Sequence, residues 1–509
     1  MYGSDFERVE TLVGSEAFAR MKRTLGGALD GDSLKAKVFR GGVWLGLGST
    51  LEQASRFGRN MLLTRILAPE AFGTMAIVMS ATSVLASFLD VGAREALIQS
   101  PRGTEDGHVG ATWWLCFGRS AFFYVCLFFL APVGSWFYGN AQLTPLLRVA
   151  GLGLLLEGMM STRVFVATKE MKFRKVAAIT HGGGIIGVLT TIILSFILRD
   201  VWALVFGYLA ENAARCILSY VVCPFIPPLR WDMGPIRELL GFSRGVFGLA
   251  ILNLIFTRAD IFVLAKMYPP AVLGVYAIAV FLVQTPTTFV INLLGGTMMP
   301  AFTHVQNDPS RMNRILLQLT AAIFLVGMPF LVFLSFCGRS LLTVTYGQRY
   351  GGAAGPLIVA GCAALLNVAN AQITTMFYAK GNPQLHRRCV AIMATLMIVL
   401  TYPLVKWFGP VGGQLACLVS IVVGYLFQIE RIWKLTGLSL SQYRTGFLVS
   451  SVISLSVVAI CSSARVLGNW QHPVPNILVG MVGCLVAYAL ACTILFGATR
   501  DRARAILGF

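Results

Sequence analysis

The sequence predicts an all-α, polytopic membrane protein. It has about 14 transmembrane helices in two six-helix lobes, with two helices appended at the C-terminus. Three observations carry this prediction. Of 509 residues, 56% are apolar and 12% charged, and mean hydropathy is +0.73. A soluble chain carries about a quarter charged residues, so this one has too little polar material to cover a soluble surface. Apolar stretches of spanning length recur along the whole chain. A segment of the first half also returns in the second.

The elements follow in order. The first span, 41–67, is the most polar and stops at Ala68-Pro69-Glu70. Spans at 72–93, 109–131, 145–166, 176–198 and 201–223 complete the first group. After a polar segment, spans at 245–267 and 271–300 are parted by Pro269-Pro270. Those at 315–337, 353–378, 389–408 and 411–430 follow, the last two parted by Gly409-Pro410, a helix stop. Spans at 446–466 and 476–497 close the chain. The expected domains are a cytoplasmic tail (1–38), an N-lobe (39–225), a cytoplasmic linker (226–244), a C-lobe (245–434) and a final segment (435–509) with a cytoplasmic C-terminus. The tail is too charged for a signal peptide, so the first span is expected to act as an uncleaved signal.

Charge sets the orientation. With the N-terminus inside, cytoplasmic segments hold 28 Lys and Arg, external loops 7 and the spans six, together the full 41. That bias places both termini in the cytoplasm. The excess of 41 basic over 22 acidic residues is thereby explained without nucleic acid, and no basic run is interleaved with exposed aromatics.

The repeat aligns Pro69-Glu70-Ala71-Phe72-Gly73-Thr74-Met75-Ala76-Ile77 with Pro270-Ala271-Val272-Leu273-Gly274-Val275-Tyr276-Ala277-Ile278, at an offset of 201. A second echo pairs Ala167-Thr168-Lys169 with Ala379-Lys380-Gly381, near 212. Six helices, an even number, separate the copies, so the halves share one orientation. Parallel repeats of this kind typify transporters.

Most chemical motifs read blandly. Eleven cysteines form no CxxC pair and sit in apolar segments as small hydrophobes. No metal site and no cofactor is expected. Gly182-x-Gly184-x-x-Gly187 matches a dinucleotide fingerprint by letters but follows no strand. With Gly183 it reads as a close-packing run, as do Gly42 and Gly46. His108, His181, His304, His386 and His472 are scattered, without a ligand partner at helical spacing. No catalytic constellation is discernible, so no enzyme is expected.

Charges inside the spans are more informative, each costing about 2.5–3.5 kcal/mol at a helix centre. At about 100° per residue, Glu52, Arg56, Arg59, Ser49 and Asn60 share one stripe about 100° wide. Such a stripe suits a watery cavity between lobes; the plain alternative is a Glu52–Arg56 bolt. Glu211 and Arg215 are spaced to pair on one helix. Arg119 and Glu157 have no partner at helical spacing on their own spans, so each is expected to meet a group across the lobe. Asp90 and Arg94 lie where a gate or a cap would, at the cytoplasmic end of the second span. At offset 201, Glu52, Arg56 and Arg59 map onto Asn253, Thr257 and Asp260, with Arg258 on another face. The N-lobe is thus the cationic one, suited to an anion gripped by guanidinium groups.

Several of these residues resemble those of Wzx-type polysaccharide flippases, in the polysaccharide transporter branch of the multidrug/oligosaccharidyl-lipid/polysaccharide (MOP) exporter superfamily. The resemblance covers roughly 36–500. Its carriers are Leu63-Thr64-Arg65-Ile66-Leu67-Ala68-Pro69-Glu70-Ala71-Phe72-Gly73, Asp90-x-Gly92, Met171-Lys172-Phe173-Arg174, Arg258-Ala259-Asp260, Leu273-Gly274-x-Tyr276 and Gly381-Asn382-Pro383. It implies a MATE-like fold in a bacterial inner membrane. It also implies transfer of an undecaprenyl-diphosphate-linked oligosaccharide between leaflets by alternating access, with membrane lipids around it. A polysaccharide polymerase and a chain-length regulator are the partners expected. Arg56, Arg59, Arg119 and Arg258 are the expected diphosphate ligands. Glu52, Glu157, Glu211, Arg215 and Asp260 are candidates for proton or sodium coupling or for structural pairing, and Asp90 and Arg94 for a gate. Two rivals are a drug/cation antiporter, which wants an acidic cavity, and a polymerase or ligase, which wants a large external loop. The longest external loops here are about 14 residues, too short to build that site.

Overall fold

The computed structural model describes residues 34–89, 93–227 and 247–438, with a few between 475 and 483. Its helices are α1 (Leu34–Ile66), α2 (Pro69–Leu89), α3 (Ala93–Gln99), α4 (Asp106–Tyr138), α5 (Leu143–Gly158), α6 (Arg163–Lys169), α7 (Phe173–Leu198) and α8 (Val201–Val222). The second group is α9 (Phe247–Met267), α10 (Pro270–His304), α11 (Pro309–Tyr346), α12 (Ala354–Ala379), α13 (Pro383–Phe408) and α14 (Pro410–Thr436).

Among the described residues, ten helices are long and apolar enough to cross a membrane, or eleven if α5 and α6, bent by 56°, form one span. Each of the first twelve expected spans falls on a helix or on this bent pair. α1 falls short of that apolarity because it carries the charged stripe. The last two spans, and with them the count of 14, lie almost wholly outside the described residues, as do the tail, the linker and the final segment. Gly480 nevertheless rests on Cys337 and Phe333 of α11.

Prolines begin five of these helices, at Pro69, Pro270, Pro309, Pro383 and Pro410. At that position the missing N–H costs nothing and φ is already helical. Asp308 caps α11 by accepting from the Arg311 N–H at 3.1 Å.

The packing repeats as the sequence does. In the first group α1 packs on α7, α7 on α8, and α2, α4 and α8 on α5. In the second, α9 packs on α13, α13 on α14, and α10, α11 and α14 on α12. Between groups, α2 on α9 mirrors α10 on α1, and α2 meets α10 on the pseudo-two-fold itself. The second echo is also structural. Lys172 N–H donates to Ala167 O at 2.8 Å, and Asn382 N–H to Phe377 O at 2.9 Å. Met171 (φ 58°) and Gly381 (φ 70°) occupy the same left-handed position. The register there is 210, not the 212 of the sequence alignment.

On the charge-derived orientation, the α1–α2, α7–α8, α9–α10 and α13–α14 turns mark the outer end. There the largest apolar core gathers Leu63, Leu67, Phe72 and Leu143 with Leu273, Tyr276, Tyr346 and Tyr350, joining both groups. Further inward the two groups share less. Towards its inner end α10 exposes Leu293 and Met299.

Candidate functional site

The charged stripe of α1 faces α7 and α8, and there it meets partners. Arg56 Nη2 lies 2.8 Å from Glu52 Oε1 and 2.5 Å from Glu211 Oε1. Arg215 Nη2 reaches the same oxygens at 3.5 and 2.8 Å. The other Glu52 oxygen takes His181 Nδ1 at 2.6 Å. Glu52 and Glu211 are buried. Two carboxylates thus face two guanidiniums in one closed network, with an imidazole on its edge. Charges buried this way persist only when mutually paired and hydrogen-bonded.

The glycine run of α7 makes room for it. A Cβ on Gly183 would sit 2.3 Å from Arg215 Cγ, one on Gly184 2.6 Å from Glu52 Oε1, and one on Gly187 2.5 Å from Glu211 Cβ. On α1, Gly48 leaves space for the His181 ring, 2.3 Å from where its Cβ would be. The expected close-packing run therefore accommodates charged side chains as well as helix backbone. A Cβ on Gly46 would meet no described atom within 4 Å, and the side chains around Gly42 lie outside the described residues.

Arg59 differs. Its Nε and Nη2 both donate to Asn60 Oδ1, each at 3.2 Å. No carboxylate among the described residues lies within ion-pair distance. Arg59 borders a cavity of about 220 Å³ between the lobes. Its polar wall is Arg56, Arg59, Asn60, Tyr208 and Glu211, and Phe72, Met75 and Met79 of α2 face Ala277, Ile278 and Phe281 of α10. Ligand pockets usually measure about 300–1,000 Å³, so this cavity is smaller than most.

The expected ligand set changes accordingly. Arg56 lines the cavity but is held by two carboxylates, a correction to its reading as a cation opposed by Glu52 alone. The sequence offered Glu52, four residues away on the same helix, and concealed Glu211, 155 residues further on. Arg119 and Arg258 do not line the cavity. Arg119 is half-buried on α4, and Arg258 has no ion-pair partner among the described residues. Glu157 is exposed on α5, and Arg94 is exposed on α3. Asp90 lies outside the described residues. Arg65 is exposed near the outer end, with Nη2 3.4 Å from Val344 O.

The C-lobe equivalent of Arg59 is Asp260, and it turns into its own lobe. Tyr276 Oη donates to Asp260 Oδ2. Gln414 Nε2 lies 3.3 Å from that oxygen and 2.6 Å from Tyr276 Oη. All three residues are buried, and Asp260 Oδ1 has no hydrogen-bond partner among the described residues. The equivalent face of the C-lobe, neutral to acidic by the repeat, therefore brings no carboxylate to the cavity wall, because Tyr276 and Gln414 hold Asp260 inside its own lobe. His181, Tyr276 and Gln414 were missed by sequence reasoning. The one local signal was that His181 adjoins the glycine run.

The helix order and this packing set the frame for comparison with known proteins. Residues 62–354, more than half of the chain, match the family described as "polysaccharide biosynthesis protein". The chain belongs to that family. Similar proteins include the lipopolysaccharide biosynthesis protein WzxC of Escherichia coli K12, 21% identical over 77% of this chain and 79% of that one. The succinoglycan biosynthesis transport protein ExoT of Rhizobium meliloti is 23% identical over 90% and 92%. Among solved structures, the lipid II flippase MurJ in an inward closed conformation superposes with a TM-score of 0.74 at 12% identity, covering 90% of this chain and 99% of that one. The fold is that of the MOP superfamily, as the sequence led one to expect.

Proposed function

We propose that this family member is a flippase. It carries an undecaprenyl-diphosphate-linked oligosaccharide from the cytoplasmic to the periplasmic leaflet of a bacterial inner membrane, alternating access between its lobes, with both termini cytoplasmic. The observation that carries this reading is Arg59. It is a guanidinium with no carboxylate in ion-pair distance among the described residues, on the wall of a cavity between two lobes. A charge kept there needs an anion for at least part of the cycle, and a diphosphate offers oxygens in the geometry guanidinium prefers. Arg56, already held, supplies the polar wall and fixes Glu211 beside it.

On this reading Asp260 is the coupling carboxylate. Glu52 and Glu211 are held in ion pairs, whereas Asp260 hydrogen-bonds the neutral Tyr276 and Gln414, with Arg258 near but beyond ion-pair distance, and a buried carboxylate without a direct ion pair among the described residues calls for a proton or a sodium ion. The flipped unit would then pass to a polymerase and its chain-length regulator. A drug antiporter fits less well, because the cavity's surplus charge is positive. A polymerase or ligase fits less well because the external loops are short.

The test is Arg59→Ala. Polymer export should cease while the protein accumulates in the membrane, and Arg59→Lys should retain partial export, keeping the charge but losing the fork. Normal export by Arg59→Ala at normal abundance would refute the diphosphate site.

A further inference from the structure

The two glycines that match across the repeat meet in space. A Cβ on Gly73 would lie 1.8 Å from Pro270 O and 2.9 Å from Gly274 N. A Cβ on Gly274 would lie 1.9 Å from Pro69 O and 2.9 Å from Gly73 N. The two sets of contacts are mirror copies at offset 201. The first turns of α2 and α10 therefore touch backbone to backbone, on the pseudo-two-fold, with no space for a single methyl group on either side.

The contact also divides two cavities. On its inner side lies the small cavity of Arg59, bordered by Ala76 and its repeat equivalent Ala277. On its outer side lies a larger cavity of about 810 Å³, bordered by Pro69, Glu70, Ala271, Tyr276 and Arg349. Glycine is required at both positions because any side chain would hold the lobes apart at the outer end.

We infer that the Gly73–Gly274 contact is the outer seal of the transport path, and that the 810 Å³ cavity beyond it is the vestibule into which the sugar head group is released. The inference rests on the alternating-access reading of the proposed function. Backbones in contact exclude both water and sugar. Parting them by one side chain's width joins the two cavities. Because each lobe contributes the same residue, the seal opens without side chains having to change rotamer, and it closes again by shape alone.

The test reads accessibility, not export. A cysteine is placed outside the seal (Ala271→Cys) or inside it (Ala277→Cys), in a background without reactive native cysteines. Intact cells are treated with a membrane-impermeant maleimide. Ala271→Cys should label quickly and Ala277→Cys at least about tenfold more slowly, and Gly274→Ala should raise the Ala277→Cys rate by about tenfold as the population shifts outward. Equal outside labelling at both positions would overturn the seal. So would an unchanged Ala277→Cys rate in a Gly274→Ala protein of normal abundance. If Gly274→Ala fails to accumulate, the boundary between the two cysteines in the parent still decides. Failure of the diphosphate reading shows up separately, as export by Arg59→Ala with the labelling boundary intact.

Discussion

Arg59 and Arg56 sit one turn apart on the same helix, yet they do different work. Arg56 lies between Glu52 and Glu211, and breaking a buried pair by removing one partner costs about 3–5 kcal/mol. Arg56→Ala should therefore lower protein abundance in the membrane, and adding Glu211→Gln, which restores neutrality to the network, should recover much of it. Immunoblots of membrane fractions, read beside export, separate this from the Arg59→Ala phenotype. Asp260→Asn should leave abundance near normal, since the amide keeps the partnership with Tyr276 and Gln414, while removing the dependence of export on the driving ion in sealed vesicles. At this scale the sequence was half legible. The stripe of α1 could be read from its spacing, so Glu52, Arg56 and Arg59 were found. Glu211 was found too, as a partner for Arg215, but that it and His181 bind α1 could not be read, because nothing local links residues 155 and 129 positions apart.

Individual helices show where composition misleads and where it serves. α7 carries a glycine run that reads as a packing motif. Its purpose becomes plain when Glu52, Glu211 and Arg215 are laid against it. A methyl group at position 187 meets the stem of Glu211, which cannot swing away, whereas at 182 the nearest atom is the tip of Leu218 at 3.2 Å. Gly187→Ala should thus destabilise by about 1–3 kcal/mol, and Gly182→Ala should stay within about 0.5 kcal/mol of the parent; thermal unfolding in detergent checks both. Met171 has φ of 58°, where its repeat partner is Gly381. An L-residue pays about 1–2 kcal/mol for that conformation, so Met171→Gly should stabilise the α6–α7 turn by about 1 kcal/mol, offset in part by the freer unfolded chain. The short echo between these turns was visible in the sequence. Its true register was not, because it is fixed by backbone hydrogen bonds rather than by matching letters.

Across the whole molecule, the parallel repeat was the most informative pattern. It predicted two groups of helices in one orientation, and the same partnerships recur in each. Reporter fusions after Arg174 and His386 should read as cytoplasmic, and those near Asn140 and Arg349 as periplasmic; a periplasmic signal at either of the first two would undo the orientation. The alignment also showed that the halves diverge inside, with Arg59 standing where the second half has Asp260; what it could not foretell was that Tyr276 and Gln414 hold that carboxylate within its own lobe. The closed charge network also bears on how the chain is made. α1 leaves the ribosome well before α7 and α8 exist, and its charges oppose entry into lipid by about 2.5–3.5 kcal/mol each. At about 5–20 residues per second, the partners on α8, 155 residues on, arrive roughly eight to thirty seconds later. The first helix must wait at the translocon, or in the shelter of its neighbours, until the sixth span is synthesised. In a chain cut short before α7, a cysteine placed midway along α1 should react readily with a water-soluble maleimide, and in one extended through α8 the same cysteine should be protected.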